Sequence, residues 1–248
     1  MRLIRTSHPA EPAFDTAITH ALLRGVGARE LPTTARVYRP GATVAFGRLD
    51  ALRPGYRRAA AAAAARGFTP VSRLGGGHAA AYHPGCVLIE IIRPEPAVAE
   101  GIHRRFADGS ALLAAALAMV GLVVEVGQRP GEYCPGRWSA HANGIKLAGP
   151  AQKSIRGASL WTAFVAVEDG ARIRGVLAAT YDALQLAWRH ETAGAAADVI
   201  AGLRVSDAER ALLDQLSRTE ELELTDIGGD TVTLARRLVE RHVVEHGP

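Results

Sequence analysis

The sequence predicts an α+β protein, a mixed β-sheet with packed helices, and three observations carry that expectation. Apolar runs of strand length, such as CVLIEII at 86–92, are interspersed with alanine- and leucine-rich stretches at helical spacing. The alternation never settles into the strict βαβ repeat of a doubly wound fold. The composition, 48% apolar and 22% charged over 248 residues, suits one large domain with a substantial core.

Taken in order, residues 14–24 place Phe14, Ala17, Ala21 and Leu22 on one helical face. Residues 35–38 and 42–46 read as short strands about the turn Pro40-Gly41. The alanine run closing at Arg66 is a helix that Gly67 stops, and a strand follows at 69–73. The run 86–92 is apolar almost throughout, as in a strand covered on both faces. A helix is predicted at 110–119, ended by Gly121, with a strand at 122–126. Glu168-Asp169-Gly170 lies between apolar runs at 160–167 and 171–176 and reads as a hairpin turn. From about Thr192 the composition changes. Ser206 and Glu209 have capping-box spacing before an alanine/leucine helix, and 231–244 reads as a last amphipathic helix. The expected organisation is a catalytic domain over 1–191 and a small C-terminal helical extension over 192–248.

Several function classes are set aside by composition. Cys86 and Cys134 are too few for a disulfide framework and lack zinc-ligand spacing. Sparse thiols fit a reducing cytosol, and the charged, proline-containing N-terminus does not resemble a signal peptide, so a cytoplasmic protein is expected. No run is long and apolar enough for a membrane span. The net charge of +4 favours an acidic partner. With 5% aromatics and no nucleic-acid-binding motif, an acidic carrier protein is the expected partner and nucleic acid is not.

Two segments carry chemistry. In RLGGGHAAAYHPG, from Arg73 to Gly85, Gly75, Gly76 and Gly77 permit positive φ and close approach of a ligand to the backbone, though three glycines also make a plain tight turn. No Lys-Ser/Thr follows, so this is not a phosphate loop of the Walker type, and the spacing is not a dinucleotide fingerprint. His78 and His83 have no carboxylate partner in metal-ligand spacing, and no metal is expected. The second segment, GEYCPGRWSAHANGIKLAGPAQK, sets Cys134 before a Pro-Gly turn and Lys146 in an apolar strand. Such a lysine either points to solvent or enters a ligand slot, where it can hold a carbonyl oxygen or oxyanion. A cation of this kind also favours a thiolate nearby. Cys86, inside the apolar strand, reads as core. Trp138 and Trp161 are core residues or walls of an apolar tunnel.

Together these segments resemble the lipoate–protein ligase and octanoyltransferase superfamily, whose catalytic fold is shared with biotin–protein ligases. AFDTAITHALLR is similar to the family's N-terminal helix, and TVAFGRLD to its glycine–arginine element. VSRLGGGHAAAYHPGCVLIEI resembles its lipoate-binding loop and following strand, and NGIKLAGPAQK its lysine motif. The resemblance spans roughly 14–187, in the family's order. Departures are Ser72-Arg73 for the usual doubled arginine, Gly75 for Ser or Thr, His78 at a variable position and His83 for an acidic residue.

The Y-C-P-G cysteine before the motif lysine is similar to the cysteine-dependent octanoyl/lipoyl amidotransferase branch. That likeness implies Cys134 as nucleophile and Lys146 as its partner. It implies an acyl site formed by Arg73, Gly75, Gly76, Gly77, His78, Ala79, His83, Gly144, Ala148 and Gly149, with His78, His83 or His141 as proton shuttle. The implied reaction moves an octanoyl or lipoyl group through a thioester to the lysine of a lipoyl domain, with H protein, E2 subunits or acyl carrier protein as partners. It requires no cofactor. The superfamily also holds ATP-dependent ligases, for which ATP would be needed, and non-catalytic acyl- or biotin-binding members are a third possibility.

Overall fold

The computed structural model describes residues 1–96 and 100–245. The chain opens with β1 (Arg2–Ile4) and α1 (Pro12–Gly27), then β2 (Thr34–Tyr38) and β3 (Thr43–Phe46). A single turn, α2 (Arg48–Ala51), leads to α3 (Tyr56–Ala64), β4 (Thr69–Ser72), β5 (Ala80–Tyr82) and the long β6 (Cys86–Glu95). Next come α4 (Ile102–Ala118), β7 (Glu125–Val126), β8 (Ala140–Ala142) and the paired long strands β9 (Ile145–Ile155) and β10 (Gly157–Ala166). The chain continues through α5 (Gly170–Leu184), α6 (Val205–Ser217), β11 (Glu223–Leu224) and α7 (Gly229–Leu238).

The large sheet runs β11-β1-β2-β6-β10-β9-β8-β7, and a smaller one runs β4-β3-β5. The large sheet mixes parallel pairs at β11-β1-β2 with antiparallel pairs from β2 to β7, as a mixed-sheet protein requires. Alternation along the strands divides the faces. Val87, Ile89, Trp161 and Val165 turn toward α4 and α6, joined there by Leu113, Leu117 and Leu212. Leu88 and Phe164 turn the other way and pack with Val44 and Phe46 of the small sheet and with residues of α3 and α5. Beside them α1 covers Ile92 and Leu160, and α7 adds Ala235 and Leu238 to that layer. Among the described residues, no helix is long and apolar enough to cross a membrane.

Local expectations change in several places: the helix expected at 110–119 already begins at Ile102, the one expected at 231–244 ends at Leu238, and three further changes have a clear physical reason. The second half of the predicted hairpin at 160–176 is helical, because Ile173, Val176, Leu177, Tyr181 and Leu184 repeat at helical spacing and bury one face. Asp169 is its N-cap, accepting a hydrogen bond from the Arg172 N–H, rather than the tip of a hairpin. The strand expected at 122–126 is confined to Glu125–Val126, while Leu122 enters the core. The helix predicted from Ser206 begins at Val205, with Asp207 accepting the Arg204 N–H, and Glu209 instead pairs with Arg5 and Arg39.

The residues after 192 build onto the same framework. β11 pairs with β1 at the edge of the large sheet, and α7 packs on α1. Farther on, Val243 bridges Val71, and His242 bonds Ser72 through both its carbonyl and its Nδ1.

Candidate active site

Cys134 and the glycine loop meet across a cleft of about 630 Å3 that opens between the small sheet and β9. The loop follows β4, and two features bring it close. Arg73 folds under it, its Nη2 donating to the carbonyls of Gly76 and His78. Gly47 lies directly beneath Gly77, where a Cβ would stand 1.8 Å from the Gly77 carbonyl oxygen. Asp50 fastens this layer, accepting the Gly47 N–H and bonding His78 Nδ1 at 2.8 Å. Among the described residues, the N–H groups of Gly75, Gly76 and Gly77 donate no backbone hydrogen bond. Gly77 has φ +90°, and a Cβ on it would come within 2.7 Å of Arg73 Nη2 and 2.8 Å of Cys134 Sγ. No other residue type fits between the guanidinium and the sulfur without displacing one of them.

The cysteine sits on the loop between β7 and β8, half-buried, in the left-handed region at φ +41°. Its Sγ is 3.5 Å from Arg73 Nη2. Burial works to lower the Arg73 pKa, but the neighbouring Cys134, together with Tyr82 and Tyr181, leaves the group raised on balance. The unfavourable backbone conformation is held from two sides. Tyr181 on α5 accepts the Cys134 N–H at 2.7 Å while donating to the Ala79 carbonyl, so one phenol ties the cysteine loop to the glycine loop. Lys146 Nζ donates to the carbonyls of Tyr133 and Cys134 at 3.0 and 2.7 Å.

Glu132 completes the loop. Its Oε1 accepts the Gly136 N–H and the Ser139 hydroxyl, and its Oε2 lies 2.7 Å from His141 Nε2 and 3.5 Å from Lys146 Nζ. Burial acts to raise its pKa, but the His141 bond, the Lys146 charge and the Gly136 N–H prevail, and the carboxyl is held below its ordinary value. Lys146 is lowered by burial, against the opposing pull of Cys134 and Glu132. Its ammonium faces the cleft because of a bulge. Ala140 opposes Ala148 and His141 opposes Lys146, which leaves Leu147 as the extra residue. Lys146 and Gly149 therefore share one side of β9, with a Cβ on Gly149 only 3.2 Å from Lys146 Cε.

The cleft brings together Cys134, Lys146, Arg73, Gly75, Gly76, Gly77 and Gly149. His78 is tied to Asp50 behind the loop, and Ala79 is buried beside it. Ala148 turns to the opposite face of the sheet, into the core with Leu147 and Val165. Gly144 forms the Asn143-Gly144 turn of the β8–β9 hairpin, both residues at positive φ. His83 packs edge-on to Phe68 and binds the Gly85 N–H, and His141 is enclosed against Glu132. Trp138 stacks on Phe106 at the cleft, whereas Trp161 lies under α4 against Gly109. Cys86 is in the core, and burial pushes its thiol up to about 12. Among the described residues, no three His, Cys, Asp or Glu side chains gather as a metal site.

Sequence reasoning missed Glu132, Asp50 and Tyr181. Tyr181 was recoverable from the helical repeat that contains it. Glu132 was not, since its partners lie at irregular spacings across a loop and a bulge.

A model of the lipoyl protein ligase A/B catalytic domain matches residues 11–185. The chain belongs to that family. This member of the lipoyl protein ligase A/B family is 34% identical over 160 residues to the octanoyl-[GcvH]:protein N-octanoyltransferase of Geobacillus kaustophilus, covering 63% of this chain and 56% of that protein. It is 28% identical over 148 residues to the lipoyl-[GcvH]:protein N-lipoyltransferase of Listeria monocytogenes, covering 58% and 53%. The chain thus spans a little more than half the length of these curated relatives. The bi-partite lipoate protein ligase of Thermoplasma acidophilum shares the family fold, with a TM-score of 0.71 at 19% identity over 97% of this chain and 92% of that one.

Proposed function

We propose that the protein moves an octanoyl or lipoyl group from a carrier protein, through a thioester on Cys134, to the lysine of a lipoyl-domain protein. The observation that carries this is the placement of the Cys134 sulfur, on a residue held at positive φ, against the Arg73 guanidinium and beside Gly77 of the donor-rich glycine loop. The names of the transferases to which the chain is similar support the same reading.

In this mechanism the Cys134 thiolate attacks the acyl carbonyl, with Arg73 as the cation beside the sulfur. The unbonded N–H groups of the glycine loop are available to the oxyanion as it forms. The carbon–nitrogen bond of an amide donor breaks, its amine taking a proton from solvent as it leaves, or the carbon–sulfur bond of a carrier thioester breaks and its thiolate leaves. Either way the acyl group remains on the Cys134 sulfur. The neutral amine of the acceptor lysine then attacks the thioester, and the thiolate departs. Lys146 serves by fixing the Tyr133 and Cys134 carbonyls, and so the cysteine's backbone, as much as by its charge. Exchange between an acyl amide or thioester and a thiol requires neither ATP nor a metal ion. Arg48, Arg137 and Lys153 line the mouth and form no salt bridge among the described residues. They suit an acceptor, such as H protein or an E2 subunit, or an acyl carrier protein donor, with acidic residues around the modified group. A reducing cytosol is the setting that keeps Cys134 a thiol.

Intact-protein mass after mixing with octanoylated H protein, without ATP, tests the proposal. An octanoyl adduct that hydroxylamine removes and Cys134→Ala prevents is the expected result. Product formed only with ATP and free lipoate would overturn it in favour of a ligase.

A further inference from the structure

Beyond the cleft lies a second, smaller chamber of about 60 Å3. The two share Arg73, Leu74, Gly75, Gly149, Ala151 and Phe164 as lining, so a group entering at Cys134 meets the chamber next. The register of the large sheet states its direction. Gly149, Phe164, Leu88 and Tyr38 form one row across β9, β10, β6 and β2, and Ala151, Thr162, Glu90 and Arg36 form the next. Residues directly opposed on paired strands point to the same face. The near end of these rows is small, with Gly149, Ala151 and Thr162. Gly75 roofs it so closely that a Cβ there would stand 2.7 Å from Ala151 Cβ. Two strand spacings on, roughly 10 Å, the surface changes from apolar to ionic.

The ionic group there is Glu90. Its Oε2 accepts from Thr19 at 2.7 Å and Arg36 at 3.3 Å, and its Oε1 from Tyr38 at 3.4 Å. Arg36 is fully buried and is held in turn by Asp15 and the Thr6 carbonyl. Each partner is itself anchored on α1 or β2, so the carboxylate cannot swing aside for a longer chain without breaking a buried ion network.

We infer that Glu90 is the end wall of the acyl slot and the residue that sets its chain length. It admits an eight-carbon chain, octanoyl or lipoyl, and rejects long fatty acyl groups, whose methyl ends would be driven against a buried carboxylate. The inference rests on the reading that Cys134 accepts the acyl group.

The test uses small donors that need no partner protein. Purified protein is mixed with S-acyl-N-acetylcysteamine thioesters of hexanoyl, octanoyl, decanoyl and dodecanoyl chains, and the rate of Cys134 acylation is read by intact mass. Octanoyl should react fastest, with dodecanoyl slower by about tenfold or more. Glu90→Ala should move the maximum to longer chains. Thr162→Leu fills the chamber while leaving every residue of the ion network in place, and should move the maximum to hexanoyl. It carries the test alone should Glu90→Ala fail to fold. Equal rates at every length, or an unchanged profile in Thr162→Leu, would overturn the inference while leaving the thioester intact. No adduct with any donor would remove the thioester reading, and this inference with it.

Discussion

Glu132 and Lys146 stand 3.5 Å apart, both enclosed, and together they hold the backbone that carries Cys134. The carboxylate gathers the loop's N–H and hydroxyl donors while the ammonium gathers its carbonyls. A buried pair with every lone pair and proton engaged is the arrangement in which ionic groups confer a unique geometry.

The pair has a pH signature. The negative charge of Glu132 raises the pKa of Lys146 against the larger lowering by burial. In Glu132→Gln that support is lost, and Lys146 gives up its proton at lower pH. The alkaline limb of the transfer rate should therefore move toward neutrality, which a pH–rate profile of Cys134 acylation reads directly. An unmoved limb would show that Lys146 does not need its charge.

Gly77 packs against both Arg73 and the Cys134 sulfur. Gly77→Ala should cost about 1–3 kcal/mol of stability through strain at φ +90°. Its effect on acylation should be larger, on the order of a hundredfold, because the new methyl displaces a reacting atom. Chemical denaturation and single-turnover rates separate the two effects.

Tyr181 serves two backbone groups with one hydroxyl. Tyr181→Phe leaves the Cys134 N–H and the Ala79 carbonyl without it, at a cost of about 1–3 kcal/mol. The variant should stay folded and lose acylation rate, with little change in how the donor binds. A loss confined to donor binding would count against the positioning role.

His20 and His242 give the fold an acid sensitivity. The His20 Nδ1 and His242 Nε2 atoms are 3.0 Å apart, and His242 Nδ1 bonds the Ser72 carbonyl next to Arg73. That second bond makes Nδ1 of His242 a donor, so its Nε2 accepts from His20 and both rings are neutral. Burial, then His242, lowers His20 to about 4, and burial also lowers His242. The unfolded chain therefore binds more protons than the folded one between pH 6.5 and about 4. Stability should fall as pH drops through that window, by about 1–2 kcal/mol once partial exposure is allowed for. Thermal midpoints at pH 7 and 4.5 should differ less in His20→Gln than in the natural protein.

Much of the fold is legible where local pattern and tertiary role agree. CVLIEII is a strand buried on both faces, Phe14 and Ala17 lie on the core face of their helix, and the glycines after Arg73 make a close-packed loop. Where they diverge, local pattern misleads. Glu168-Asp169-Gly170 has hairpin chemistry, yet Asp169 caps a helix, because one turn-forming segment can serve either element and the apolar spacing beyond it decides. Ser206 and Glu209 fit a capping box, but Glu209 is drawn to Arg5 and Arg39, residues far away in sequence.

The sequence alone determines the chemical repertoire: a thiol before Pro-Gly, a lysine in an apolar strand, a glycine loop after an arginine. These are covalent facts of composition and spacing, and they suffice to point to the family. Which groups meet is decided by tertiary structure. A one-residue bulge at Leu147 turns Lys146 and Gly149 to the same side while sending Ala148 to the other. The sheet register sets Glu90 in line with Thr162 and Ala151 across three strands. Side-chain direction in a strand reverses at every residue, so a single inserted residue or a single step of register reassigns which side chains face the cleft.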